Sequence, residues 1–168
     1  MMATQPIIYC DMDGVLCNFF SAVQKLTDKP IKTLSVSQMW TLCREQTDFW
    51  ENLEWMVGGK EVWRVVEHYR GHILSSLPYS DPNSGPGKMK WLRNNIGLTD
   101  PERIHLVNRR TKKQNYAVSN QTPNILIDDY IKNTNEWQTA GGNAILHVNL
   151  EDTLQQLGEL EINTDLQS

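Results

Sequence analysis

Cysteine is scarce in this chain of 168 residues: Cys10, Cys17 and Cys43 are all there is, odd in number and without C-x-x-C spacing. A disulfide framework or a structural zinc site is therefore not expected. No stretch approaches the ~18 to 20 consecutive apolar residues that a membrane span needs. Positive charge is also short, with 16 Lys and Arg against 20 Asp and Glu and a net charge of -4. That balance argues against a partner that is extended nucleic acid or an anionic membrane surface. The first residues, Met1-Met2-Ala3-Thr4-Gln5, show no basic and then apolar leader, and the expectation is a cytoplasmic protein. Repeats and low-complexity tracts are missing as well.

Hydrophobic residues, at 39%, are enough to form a core for one compact domain. Short apolar runs at 6–10, 72–75, 103–107, 124–127 and 144–147 read as strands buried on both faces. Amphipathic stretches separate them. Val62, Val65, Val66 and Tyr69 share one helical face, as do Met89, Leu92 and Ile96 before the stop at Gly97. Asp152 is the expected cap of a last helix carrying Leu154, Leu157 and Leu160. This alternation is that of an α/β protein with a parallel sheet of about five strands. Residues 17–60 break the pattern and are rich in Trp and Phe. They read as a small helical cap inserted after the first strand, with 1–16 and 61–168 forming the core.

Two acidic pairs carry the chemistry. Asp11-Met12-Asp13-Gly14 follows the first strand, and an i,i+2 pair at a strand end turns both carboxylates toward one pocket. Asp128-Asp129 follows the fourth strand, and parallel strands bring both pairs to one edge. Four converging carboxylates repel unless a cation is present, and a hard, oxygen-seeking dication such as Mg²⁺ suits them. Ser75-Ser76 at the end of the second strand offers hydroxyl and N–H groups to phosphate oxygens. Asn108-Arg109-Arg110-Thr111-Lys112-Lys113 after the third is a basic cluster in an acidic chain. Lys88 is a further candidate for phosphate contact, although a solvated place at a helix start is the plainer expectation. Gly58-Gly59-Lys60-Glu61 lacks the spacing and hydroxyl of a P-loop. His68 and His72 have the i,i+4 spacing of helical metal ligands, but Gly71 interrupts the helix between them.

The order Asp-x-Asp, Ser, Lys, Asp-Asp resembles the haloacid dehalogenase superfamily of phosphotransferases, and the resemblance covers nearly the whole chain. Closer still, Asp11-Met12-Asp13-Gly14-Val15-Leu16, Phe49-Trp50-Glu51-Asn52-Leu53 and Ile125-Leu126-Ile127-Asp128-Asp129 are similar to segments of 5'(3')-deoxyribonucleotidases and their phage and bacterial relatives. Asn133, Trp137 and Ala140-Gly141-Gly142 fit the same group. Val57-Gly58-Gly59 departs from its usual Pro-Gly pair. The resemblance implies a Rossmann-like core and a Mg²⁺-dependent phosphomonoesterase acting on (deoxy)nucleoside monophosphates. Asp11 would be the nucleophile and Asp13 the acid and base. Asp11, Asp13 (through its carbonyl), Asp128 and Asp129 would serve the metal. Ser75, Ser76 and Lys113, or its competitor Lys112, would hold phosphate, and Phe19, Phe49, Trp50 and Arg109 would contact the rest of the substrate. Two other readings share these residues: a polynucleotide 3'-phosphatase, and a non-hydrolytic phospho-acceptor or nucleotide-binding regulator.

Overall fold

A computed structural model describes residues 5–108 and 112–166. The strands are β1 (Ile8–Cys10), β2 (His72–Ser76), β3 (Ile104–Val107), a short hairpin of β4 (Val118–Ser119) and β5 (Thr122–Pro123), β6 (Ile125–Asp128) and β7 (Asn143–Leu146). Five of them form one sheet in the order β3-β2-β1-β6-β7, and every pairing in it is parallel. The expected α/β architecture is therefore present, with strand limits moved by a residue or two. The chain runs from central β1 to β2 on one side and reaches β6 on the other. In open sheets a reversal of this kind leaves a crevice at the carboxyl ends of the strands.

Strand alternation divides the sheet into two faces. Ile8, Cys10, Ile73, Ile125, Ile127 and Ile145 face one buried cluster, and Tyr9, Leu74, Val107 and Leu126 face the other. The first is covered by α3 (Gly59–His68) through Val62, Val65 and Val66, by α4 (Ser84–Ile96) through Trp91 and Leu92, and by Leu157 near the carboxyl terminus. Trp137 of α5 (Ile131–Thr139) covers the second. Burying such a ring removes ~150–250 Å² from water, worth about 4–6 kcal/mol at ~25 cal/mol per Å².

Helix ends follow the chemistry of their caps. Gly97 ends α4 at φ +66, a conformation glycine adopts without a Cβ penalty. The last helix, α6 (Leu150–Glu159), differs from expectation: Asn149 is its cap, and its side chain accepts from Asp152 N. Asp152 lies inside the first turn, where an acidic side chain suits the helix dipole. The hairpin was not expected either. Its corner is Asn120-Gln121, both at positive φ (47 and 65), without the glycine that advertises such turns.

The Trp- and Phe-rich stretch holds α1 (Phe19–Gln24), a 3-10 turn at Ile31–Thr33 and α2 (Val36–Glu45), which a Ser35/Gln38 capping box starts. Its rings are continuous with the core on the first face, since Phe19, Phe49, Trp50 and Leu53 share that cluster with Ile8 and Ile73. Hydrogen bonds to main-chain carbonyls tie it down: Met56 N donates to Leu16 O (2.7 Å) and the Trp91 side chain donates through Nε1 to Leu53 O (2.8 Å). No helix among the described residues is long and apolar enough to cross a membrane.

Candidate active site

β1 delivers Asp11 to the carboxyl edge, where its N–H still continues the sheet by donating to Ile127 O at 2.9 Å. The chain then turns sharply, with Leu16 N and Cys17 N both donating to Met12 O. Gly14 sits in this turn at φ +79, and a Cβ there would overlap the Asp129 carboxylate. Glycine is needed twice over, for the backbone conformation and for the approach of Asp129.

Asp11, Asp128 and Asp129 each place an oxygen within 4.8 Å of the others. Asp128 is fully buried and held by Tyr130 N (2.9 Å) and Asn133 Nδ2 (3.0 Å). Lys113, buried in the 3-10 turn Lys113–Tyr116, reaches Asp128 Oδ2 at 2.7 Å and Asp11 Oδ1 at 3.1 Å. Lys112 caps that turn and is exposed, so of the two competing lysines only Lys113 enters the cluster.

A second lysine is present that the sequence reading set aside. Lys88 is fully buried, and Nζ donates to Asp13 Oδ2 (2.7 Å), Ser75 Oγ (2.8 Å) and Ser76 O (2.8 Å). The expectation of a solvated helix-start residue is corrected: α4 begins at Ser84, so Lys88 lies a full turn inside it. The overlooked signal was spacing, because Lys88, Trp91 and Leu92 fall at i, i+3 and i+4 on the buried face. Ser75 is buried beside it, whereas Ser76 is exposed and contributes its carbonyl to Lys88.

The electrostatics follow from four carboxyl groups gathered around two ammonium groups. Burial first, then Asp11, Asp128 and Asp13, pushes Asp129 up to about 7. Burial and Asp11 push Asp128 up to about 6, against the pull of Lys113. Asp13 is also raised, by burial and then Asp11, with Lys88 opposing, and its Oδ1 is buried without a hydrogen-bond partner. Burial works against the charge on Lys113, but Asp11 and Asp128 outweigh it and hold the ammonium above the ordinary lysine range. Burial lifts the Cys10 thiol well above its usual value, which makes it a packed side chain and not a nucleophile.

Four carboxylates less two ammoniums leave two negative charges, if all are ionised, within one cluster. Converging hard oxygens with that deficit fit a divalent cation of the Mg²⁺ type.

The aromatic candidates lie inward. Phe19, Phe49 and Trp50 are 4%, 7% and 1% exposed, and Phe19 stacks on Trp50 with centroids 5.7 Å apart. Phe20 is the ring of this group that meets solvent. A cavity of about 190 Å³ lies beside Phe49, lined by Asn18, Lys25, Asp48 and Asn52 among others, and contains none of the four carboxylates. Arg109, with Arg110 and Thr111, lies outside the described residues.

The parallel sheet carries acidic groups at its carboxyl edge, the arrangement that the resemblance to the haloacid dehalogenase superfamily implies. Within the curated proteins, the chain is similar to one from Vibrio phage KVP40 named "Putative 5'(3')-deoxyribonucleotidase". The two are 28% identical over 130 residues, covering 77% of this chain and 69% of that one. Among solved structures, a hydrolase from Streptococcus pneumoniae TIGR4 shares the fold with a TM-score of 0.58. That match is 11% identical and covers 90% of this chain and 97% of the other. A hydrolase from Pseudomonas syringae aligns at a TM-score of 0.49 and 13% identity, over 93% and 99% of the two chains. No family model matches the chain.

Proposed function

We propose that this chain is a metal-dependent phosphomonoesterase of the 5'(3')-deoxyribonucleotidase type, acting on (deoxy)nucleoside monophosphates. The observation that carries this reading is the convergence of Asp11, Asp13, Asp128 and Asp129 on Lys88 and Lys113 at one sheet edge. The name of the phage relative supports the substrate class.

Asp11 attacks phosphorus, and the bond from phosphorus to the leaving oxygen breaks as an aspartyl-phosphate forms. Its Oδ1 is occupied by Met12 N and Lys113, while no hydrogen bond from the described residues falls on Oδ2, which is the attacking atom. Asp13 gives its proton to the leaving alcohol and then takes one from water. That water's oxygen attacks phosphorus, the bond to Asp11 breaks, and inorganic phosphate leaves. Burial raises Asp13 above the ordinary carboxyl range, against the pull of Lys88, which is the direction a proton donor needs. Lys113 and Ser75 face the transferred group and stabilise its developing charge. Asp11, Asp128 and Asp129 would hold Mg²⁺, to which the resemblance adds the Asp13 carbonyl; when bound, the ion would neutralise phosphate charge. Phe19, Phe49 and Trp50 are buried in the core, which does not suit an open stacking platform for a base.

A phosphate-release screen of nucleoside monophosphates with Mg²⁺ and then with chelator tests this. Release that chelator abolishes is expected. Activity confined to 3'-phosphorylated oligomers would point to the polynucleotide phosphatase, and no release from any phosphomonoester would overturn the hydrolase reading.

A further inference from the structure

A lysine ammonium has three N–H groups to donate, and Lys88 uses all of them, on Asp13 Oδ2, Ser75 Oγ and Ser76 O. While those bonds hold, it has none left for a substrate oxygen. Its remaining neighbour is a ring: Nζ lies 4.9 Å from the centroid of Trp50. Trp50 in turn donates its Nε1 hydrogen to Asp81 Oδ2 at 2.7 Å, and Asp81 is 3% exposed. The other oxygen of Asp81 accepts from Asn83 N (2.9 Å), and its carbonyl accepts from Ser84 Oγ (2.8 Å). The carboxyl group is thereby fixed to the turn that starts α4, the helix carrying Lys88. Gly87 completes the fit, because a Cβ there would stand 2.5 Å from Trp50 Cβ.

We infer that Asp81 is a positioning residue for the Lys88–Asp13 pair, acting through the Trp50 ring. The inference rests on the hydrolase reading above, in which Asp13 moves the proton. Accepting the indole N–H draws electron density toward the ring face, which strengthens its attraction for the Lys88 ammonium. Lys88 so held occupies Asp13 Oδ2. That bond fixes the orientation of the Asp13 carboxyl group. Without Asp81 the indole N–H is left buried without its acceptor, the ring behind Lys88 is held less firmly, and the Asp13 carboxyl loses its fixed orientation. The loss falls on turnover and leaves binding largely untouched, because neither Asp81 nor Trp50 holds the phosphate.

The test uses the full chain with Mg²⁺ and p-nitrophenyl phosphate, and compares Asp81→Ala, Asp81→Asn, Trp50→Phe and the Asp81→Ala/Trp50→Phe pair. Asp81→Ala should lower kcat by ~10-fold with KM changed less than about two-fold, and Asp81→Asn, which keeps an acceptor for the indole, should recover part of it. In the Trp50→Phe background, Asp81→Ala should cost nothing further. Independently of activity, lysine acetylation by acetic anhydride, read peptide by peptide, should rise ~10-fold at Lys88 in Asp81→Ala and stay low at buried Lys113. Equal losses from Asp81→Ala in both backgrounds would overturn the inference, as would Lys88 and Lys113 becoming reactive together. If the wild-type chain releases no phosphate, the hydrolase reading falls, and the labelling result alone decides whether Asp81 positions Lys88.

Discussion

Withdrawing divalent cation from the carboxylate cluster should destabilise the fold and give its stability an unusual pH dependence. Asp128 and Asp129 are raised from 3.8 to about 6 and about 7 in the folded chain. Both folded values exceed the unfolded one, so between about pH 4 and about pH 7 the native state binds more protons than the unfolded state. The metal-free chain therefore loses stability as pH rises through that window. A bound dication replaces those protons and removes the slope. At ~100-fold above its dissociation constant, a ligand that binds only the native state stabilises by ~2.7 kcal/mol. At ~2–4 °C per kcal/mol for a chain of this size, saturating Mg²⁺ should raise Tm by ~5–11 °C at about pH 8. Near pH 5, where protons hold the site, the gain should be much smaller. Thermal unfolding followed by circular dichroism, with MgCl₂ or with EDTA across that range, reads this directly. Equal Tm values with Mg²⁺ and EDTA at the alkaline end would refute the reasoning, and so would a Mg²⁺ gain that survives intact in Asp128→Asn.

Gly14→Ala combines a positive φ with a Cβ that overlaps Asp129, and should cost ~1–3 kcal/mol and weaken Mg²⁺ binding, as measured by denaturant unfolding and by calorimetric titration. Lys113→Met should lower turnover by ~10²–10³-fold while Lys112→Met leaves it within a few-fold, which steady-state phosphate release would show. His72 donates to or accepts from His105 at 2.9 Å, and burial and then His105 lower it to about 4 from 6.5. The unfolded chain alone takes up that proton as pH falls through 6.5, so its contribution is present above 6.5 and is lost as pH falls through about 4. In the Mg²⁺-saturated protein, His72→Gln should flatten the fall of Tm across this window; an unchanged slope would remove His72 as its cause.

Much of the fold was legible because the buried strands and the helix stops are local signals. Ile7-Ile8-Tyr9-Cys10 and Ile125-Leu126-Ile127 are apolar runs ending in acid, and Gly97 ends a helical stripe. The hairpin was not legible, since its Asn120-Gln121 corner lacks glycine and its strands are two residues long. The cap of α6 was displaced because Asn149 and Asp152 are both good capping residues, and local sequence does not choose between them. At the site, strand ends announced the carboxylates, but Lys88 depends on tertiary packing. Its burial needs Trp50, Ser75 and Asp13, which lie 38, 13 and 75 positions away, to meet around it. The same packing draws Trp50 inward, where the resemblance implied a contact with the substrate.

The claim that Asp11 bonds to phosphorus is tested most directly by catching that bond. The chain is mixed with a nucleoside monophosphate and Mg²⁺, quenched in acid during turnover, digested, and its peptides weighed. The expected result is a peptide containing Asp11 that is heavier by one phosphoryl group, lost on hydroxylamine treatment and missing in Asp11→Asn. Turnover with no phosphorylated peptide, or with the phosphoryl group on another residue, would contradict it.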